Sequence, residues 1–343
     1  MSAPTRESVR RALRLGPEYD EWLAELDLLG PPGEPLVARP ADETVQLLDR
    51  LGFEPLDATD AFTTRILPDE HPEIWWLLER SHHAVVRGLQ PGAPRWWLPM
   101  LPDEMGSTGR FFPLHVFLSA IDELRRWHAD RGIPDEVSWA TLQDLGRGVA
   151  IHRATYGYGG LDKAGWLTHH FHGELFELGR LQFERQTLTA PPRQPMSWYG
   201  ESETSRRGVG FRPGDAVLGM HIPATGPLTA RACDDSLARA ESFFARHFPD
   251  PSRRIVVCTS WLLDEQLADH LPPGSNMMRF QRRFTIVPGA VDDDHEPLRF
   301  VFRHVPADLR ALPRDTTLQR ALVEHLQQGR HWRVRTGWFP LES

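Results

Sequence analysis

The segment from Ala216 to Leu263 constrains the fold most, because it reads as a strand, a turn, a helix and a second strand. Ala216 to Ile222 is mostly apolar, and Thr229 is a suitable N-cap for an amphipathic helix that ends at Pro249. The next strand, Ile255 to Leu263, opens with an unbroken apolar run, which is typical of a strand buried on both faces. This order of elements predicts a right-handed parallel βαβ unit.

Length, charge and cysteine content limit the number of domains, the kinds of partner and the cellular compartment that we expect. The 343 residues are enough for about two domains. A net charge of −8 without a basic run disfavours nucleic acid as a partner. No window approaches the ~18 apolar residues of a membrane span, and Met1 to Arg14 lacks the apolar stretch of a signal peptide. Two cysteines are too few for a disulfide framework, so we expect a cytoplasmic protein without a membrane partner.

The pattern of secondary structure changes near Gly157. Before it, helical periodicity dominates, for example in Pro72 to Leu89 and in the helical pair from Pro113 to Tyr156. The glycine-rich stretch Gly157 to Gly160 then breaks the pattern. We therefore expect a helical N-terminal domain at 1–156 and a mixed α+β domain at 157–343.

Strands are expected on both sides of the βαβ unit. The segments that predict them are Trp166 to His172, Leu178 to Leu188, Asn276 to Val287, Leu298 to Val305 and His331 to Phe339. A polar loop, Pro191 to Gly214, separates the second of these from the βαβ unit, and its length is compatible with either a lid or a surface excursion.

The turn from His221 to Thr229 is the strongest candidate for a ligand site. The N–H groups and the positive dipole end of a helix N-terminus attract phosphate, and Gly226 would let the backbone approach a ligand closely. An ordinary βα turn with a Gly-Pro bend fits the same residues. The spacing alone leaves both interpretations open.

Several motifs resemble a known family over most of the chain. The family is that of bacterial two-part N-acyltransferases, with an all-helical N-terminal domain and a GNAT-like mixed-sheet C-terminal domain. The residues that carry the resemblance are Phe176 to Glu184, His221-Ile222-Pro223, Ser236 to Ala240, Phe243-Phe244, Cys258 to Leu263, Ser275-Asn276 and Phe280 to Phe284.

The resemblance implies that acyl-CoA or acetyl-CoA is the co-substrate and that no metal is needed. In this superfamily acyl-CoA lies between two splayed parallel strands, here Ala216–Ile222 and Ile255–Leu263, with its pyrophosphate on the turn after the first. The cofactor-binding residues carried over are Ile222, Thr225, Gly226, Leu228, Thr229, Ala230 and Trp261. The turn departs from the family pattern of an Arg or Gln followed by two spaced glycines (or a Gly and then an Ala), because it offers only Gly226 and then Pro227, which has no N–H to donate.

The favoured function is transfer of an acyl group to the amine of a small or amino-acid-like acceptor, by direct attack on the thioester. The attacking amine must lose a proton, and either Glu184 or His221 is placed to accept it. Ser260 could donate to the departing thiolate, and Trp261 could line the acyl pocket. The alternatives are a solvated Glu184 and a core His221. Pro227 motivates the alternative of an inactive GNAT-like protein that binds a ligand or a partner.

Three other residue groups carry less specific chemistry. Cys258 is a potential nucleophile, but its apolar strand favours buried packing. Arg282 interrupts an apolar strand face and would need a partner if it points inward. His170 and His172 would share a face of a strand, with Glu174 as a possible third ligand, which suggests a metal-dependent hydrolase as a further alternative. Surface or hydrogen-bonded histidines are favoured over that metal site.

Overall fold

The computed structural model describes residues 3–188, 212, 214–249, 255–303 and 308–341. Contacts between residues divide the chain into two compact units, Met1–Glu174 and Leu175–Ser343. This division lies beyond the expected 156/157 boundary, because Ala164–Phe171 is a helix and not a strand. Its Leu167 and Phe171 are fully buried in the core of the first unit, which extends that unit past the glycine-rich stretch.

The first unit is helical. Helix α5 packs against α1, α2, α6 and α10, which places it at the centre of the unit. The helices are α1 (Arg6–Ala12), α2 (Asp20–Leu29), α3 (Ala41–Arg50), α4 (Pro55–Thr63), α5 (Pro72–Gly88), α6 (Gly106–Ser119), α7 (Ile121–Asp130), α8 (Asp135–Leu142), α9 (Asp144–Tyr156) and α10 (Ala164–Phe171).

Two histidines on otherwise apolar helix faces, His82 and His128, belong to the core of this unit. His82 Nδ1 lies 3.2 Å from Ser119 Oγ, and His128 Nδ1 lies 2.8 Å from Ser138 Oγ. Burial lowers the pKa of both imidazoles, that of His128 to about 3. Both rings are therefore neutral, hydrogen-bonded core residues at neutral pH.

The second unit is built on a mixed sheet. The strand order is β1-β2-β3-β4-β7-β5, with β6 also paired to β7, and every pair is antiparallel except β3 with β4. The strands are β1 (Leu175–Glu177), β2 (Gln182–Thr187), β3 (Ala216–His221), β4 (Ile255–Ser260), β5 (Thr285–Ile286), β6 (Val291–Asp292) and β7 (Arg333–Pro340). The helices are α11 (Ala230–His247), α12 (Asn276–Gln281), α13 (His295–Phe302) and α14 (Thr317–Gln327).

The βαβ unit forms as predicted: β3 and β4 are parallel and α11 connects them. Thr229 is the N-cap, and its Oγ1 accepts a hydrogen bond from the Ala232 N–H at 3.2 Å. The helix buries Cys233, Ala240, Phe243 and Phe244. Phe243 packs against Phe176 of β1 with ring centroids 4.9 Å apart, so the helix covers one face of the sheet.

Besides Trp166–His172, two more of the predicted strands are wrong. Asn276 begins α12 because the Ser275 hydroxyl caps it, and only Thr285–Ile286 of that segment is strand. Residues 295–302 form α13, because the Asp293 carboxylate accepts hydrogen bonds from the N–H groups of His295 and Glu296. Arg282 therefore follows a helix, and its exposed side chain donates to the Pro273 carbonyl at 2.8 Å instead of pointing inward.

Candidate active site

The sheet opens between β3 and β4. These strands pair at Leu218–Val256 and Gly219–Val257. Each of these strands stays paired with its other neighbour beyond that point: β3 pairs with β2 as far as His221, and β4 pairs with β7 as far as Ser260. The two parallel strands therefore separate toward their carboxyl ends, where unpaired backbone groups become available to a ligand.

Glu184 and His221 meet on one face of the sheet beside this opening. His221 is opposite Gln182, and Glu184 is opposite Gly219, so the two side chains lie diagonally across β2 and β3. His221 Nε2 lies 2.8 Å from Glu184 Oε2. Glu184 is 4% exposed, whereas the His221 side chain is 28% exposed. The buried carboxylate is therefore paired, and the imidazole has the greater access to solvent.

Gln186 completes this arrangement. Its Nε2 donates to the same oxygen, Glu184 Oε2, at 2.5 Å. An ionised carboxylate only accepts hydrogen bonds, so the neutral imidazole must carry its proton on Nε2, which leaves the lone pair on Nδ1. This is the tautomer in which His221 can accept a proton through Nδ1 while Glu184 stabilises the imidazolium that results.

The turn between β3 and α11 is exposed from Ala224 to Pro227 and contains one residue of unusual conformation. Gly226 has φ of +135°, in the region that side-chain-bearing residues avoid. Leu228 is buried, and Thr229 uses its hydroxyl to cap the helix. Ile222 and Ala230, at the two ends of the turn, are half-buried.

Arg180, for which the sequence predicted no role in the site, contacts this turn. Its Nη1 donates to Pro223 O at 2.9 Å, and its Nη2 and Nε donate to Gly226 O at 2.8 and 3.1 Å. Nε also lies 3.3 Å from Pro227 O. Partial burial lowers the pKa of Arg180, a cost that bonds to three backbone carbonyls offset.

Ser260 and Trp261 lie on the β4 side of the opening. Ser260 Oγ accepts a hydrogen bond from the Leu262 N–H at 3.1 Å and so caps a short 3₁₀ helix, Trp261–Leu263. The hydroxyl proton of Ser260 can still be donated. The indole of Trp261 is 3% exposed and lies edge-on to Phe300, with ring centroids 6.0 Å apart.

Cys258 lacks the environment of a nucleophile. It is 2% exposed, and burial together with the nearby Glu296 raises the pKa of its thiol to about 12. The thiol therefore stays protonated at neutral pH, which agrees with the packing role that its apolar strand favoured.

The proposed zinc pair loses its geometric basis. His170 and His172 do not share the face of a strand, because they lie in and directly after helix α10. His170 is 1% exposed, and its Nε2 lies 3.2 Å from Asp144 Oδ2. The His172 ring packs against Trp96 with centroids 5.3 Å apart. Each imidazole thus has its own packing partner in the first unit.

Two family models match the chain, each over one compact unit. That of the N-acyltransferase N-terminal domain matches residues 42–173, and that of the GNAT-like C-terminal domain matches residues 175–339. Comparison with curated proteins gave no match. In the described part of the chain, no helix has both the length and the apolar composition needed to cross a membrane.

Solved acyltransferase structures resemble the chain over nearly its whole length. An acyltransferase in complex with decanoyl-CoA is 40% identical, with a TM-score of 0.88 and coverage of 99% of this chain and 100% of that chain. An acyltransferase in complex with decanoyl-CoA and teicoplanin is 41% identical, with a TM-score of 0.85 and the same coverage of both chains. A mutant acyltransferase in complex with octanoyl-CoA is 41% identical, with a TM-score of 0.84 and coverage of 98% and 99%.

Proposed function

The chain belongs to the acyltransferase family that joins an N-acyltransferase N-terminal domain to a GNAT-like C-terminal domain, and we propose that it moves a medium-chain acyl group from acyl-CoA to an amine of a glycopeptide. It is a CoA-dependent acyltransferase, like the structures it resembles. The octanoyl and decanoyl chains bound by those relatives support a medium-chain donor over acetyl-CoA.

The acceptor is the part of the proposal that departs from the sequence-based expectation. A small or amino-acid-like amine was expected, whereas two of the similar structures contain teicoplanin or 10C-Teicoplanin, and teicoplanin is a glycopeptide acceptor that is not small-molecule in size. The nucleophile remains an amine in this proposal, and only the size of the molecule that carries it is revised.

The observation that carries the chemistry is the hydrogen bond from His221 to Glu184 where β3 and β4 separate. His221 Nδ1 accepts a proton from the amine as its nitrogen attacks the thioester carbonyl. A C–N bond forms, the C–S bond breaks, and CoA leaves as the thiolate. Glu184 holds the imidazole in the required tautomer and balances its positive charge, so His221 is the base and Glu184 orients it.

The remaining candidate residues bind the acyl donor, acyl-CoA. The turn holds the pyrophosphate of CoA through the N–H groups of Thr225, Gly226 and Leu228 and the helix start at Thr229 and Ala230. Ile222, where β3 ends, lies against the pantetheine arm. Ser260 donates a hydrogen bond to the sulfur as negative charge develops there, and the packed Trp261 ring forms a fixed wall behind it.

The test is a matrix of donors and acceptors with the purified full-length chain. Decanoyl-CoA, octanoyl-CoA and acetyl-CoA are each combined with deacylated teicoplanin or with a free amino acid. Release of CoA thiol and the mass of the product are measured. We expect acylated glycopeptide from the two longer donors, with kcat/KM for acetyl-CoA at least about tenfold lower, because a short chain leaves apolar binding surface unused.

Three outcomes would contradict parts of this proposal. Efficient acylation of the amino acid would restore the small acceptor. Thermal stabilisation by acyl-CoA without thiol release from any pair would favour the inactive, ligand-binding alternative. Loss of activity on treatment with EDTA, restored by zinc, would revive the metal-dependent alternative.

A further inference from the structure

The turn that receives the pyrophosphate in the proposed function has an unfavourable sequence for that task. Pro227 contributes no N–H, and Gly226 is its only glycine. Such a turn has fewer donors and fewer accessible backbone shapes than a turn with two glycines. With fewer donors, binding of the pyrophosphate depends more strongly on the direction in which each remaining N–H group points.

Arg180 constrains these directions. It bonds the carbonyls of Pro223, Gly226 and Pro227, which together span the turn. In a trans peptide the N–H points opposite to the preceding C=O. Carbonyls directed at the guanidinium therefore turn the N–H groups of Ala224 and Leu228 away from Arg180, toward the other side of the turn.

The chain segment that carries Arg180 is held by helix α11, which starts directly after the turn. Arg180 follows Gly179, whose φ is +90°, in the tight connection between β1 and β2. Ser236 of α11 donates to Leu178 O at 2.6 Å and accepts from the Leu181 N–H at 3.0 Å, so it fixes both ends of this connection. A Cβ on residue 179 would lie 3.0 Å from Ser236 Oγ. Helix α11 thus holds the β1–β2 connection through Ser236, and that connection holds the turn before α11 through Arg180.

We propose that Arg180 is a positioning residue for acyl-CoA, which shapes the turn from Pro223 to Leu228 so that its N–H groups, that of Leu228 among them, bind the pyrophosphate. Its positive charge beneath the turn adds to the attraction for the phosphates. This inference rests on the proposed function, because it assigns a role in binding the same co-substrate.

The experiment compares two donors that differ in the pyrophosphate. Decanoyl-CoA contains it, and S-decanoyl-pantetheine does not. In Arg180→Gln we expect the Kd for CoA and the KM for decanoyl-CoA to rise by at least about tenfold, with kcat at saturation within about threefold of wild type. The KM for S-decanoyl-pantetheine should stay within about twofold, because that donor does not reach the turn.

Arg320 offers a matched control. Its Nη1 donates to the backbone carbonyls of Arg314 at 2.9 Å and Asp315 at 3.1 Å, beside the start of α14. Arg320→Gln removes the same kind of contact from a different loop. Its KM for decanoyl-CoA should remain within about twofold of wild type. Arg180→Lys keeps the positive charge but makes fewer hydrogen bonds to the turn. Its KM for decanoyl-CoA should therefore lie between those of wild type and Arg180→Gln.

The results separate this inference from the proposed function. If wild type neither binds nor uses any acyl-CoA, the proposed function fails. If wild type is active and Arg180→Gln matches it with both donors, the positioning role is wrong. An equal rise in KM for both donors would also overturn it, because that pattern indicates a general structural effect. Should Arg180→Gln not fold, the same comparisons made with Arg180→Lys decide the question.

Discussion

His221 Nε2 and Gln186 Nε2 both donate to one oxygen of Glu184, at 2.8 and 2.5 Å. The carboxylate is thereby held from β2 and β3 at once, on the face of the sheet beside the opening between β3 and β4. The hydrogen bonds and the burial distinguish two residues that the sequence left as equal candidates for the base. Glu184 is buried and paired, and His221 is the more exposed partner.

Substitution of the two residues tests whether His221 is the base and Glu184 orients it. His221→Ala should lower kcat by about 10²- to 10⁴-fold, because it removes the base. Glu184→Gln should cause a smaller loss, because the base remains but its orientation and charge balance are impaired. The KM for acyl-CoA should change little in either variant. Thiol release under saturating donor measures both effects, and a larger loss in Glu184→Gln than in His221→Ala would reverse the assignment.

Gly219 should be required for the position of Gln186. A Cβ on residue 219 would lie 2.3 Å from Gln186 Nε2, the atom that holds Glu184. Gly219→Ala should therefore displace the amide and lower kcat, with a change in unfolding free energy of about 1 kcal/mol or less, because the displaced group is the flexible end of a side chain.

A double-mutant cycle tests this coupling. Gly219→Ala combined with Gln186→Ala should be no less active than Gln186→Ala alone, because the methyl group then meets no amide. Additive losses in kcat would show that residue 219 acts by another route.

Local signals account for the parts of the fold that the sequence predicted. The Thr229 cap and the Ile255–Cys258 run are read from neighbouring residues, and the βαβ unit follows from them. Two of the three wrongly predicted strands also have a local cause. Ser275 and Asp293 cap helices in segments whose apolar residues fit either period, and caps of this kind outweigh a short β-like run.

Long-range geometry accounts for what the sequence could not provide. Glu184 and His221 were both candidate bases, but their contact depends on the register of β2 against β3. A shift of one residue would place the two side chains on opposite faces. Arg180 reaches carbonyls more than forty positions away, and no spacing rule identifies such a contact.

Cys258 should be dispensable for catalysis. Its buried thiol, with a pKa of about 12, is protonated at neutral pH and does not form an acyl-enzyme. Cys258→Ala should keep kcat within about twofold while lowering the unfolding free energy by about 1–2 kcal/mol, because it leaves a small cavity. Cys233→Ala is the control, since that thiol is also buried. A covalent acyl-protein adduct found by mass spectrometry in wild type but not in Cys258→Ala would contradict this.

Stability should fall as the pH drops below neutrality, partly because of His115. It is a buried residue of α6, its Nε2 lies 3.1 Å from Thr64 Oγ1, and burial lowers its pKa to about 4. Between an unfolded-state pKa near 6.5 and about 4, the unfolded chain binds a proton that the folded chain does not. The unfolding free energy therefore decreases as pH falls through this window, by up to a few kcal/mol.

Replacing His115 and, separately, a surface histidine tests two opposite effects of pH on stability, because the pKa of one is lowered and that of the other is raised. Urea unfolding of His115→Gln should show a weaker dependence on pH between 6.5 and 4 than wild type. His331 is the opposite case: its Nδ1 lies 2.7 Å from Asp294 Oδ2, and this hydrogen bond raises its pKa. Its stabilisation is present below the unfolded pKa and is lost as pH rises through the folded one. His331→Gln should therefore destabilise the protein more at pH 6 than at pH 8, and an unchanged pH slope in His115→Gln would show that other groups dominate the acid transition.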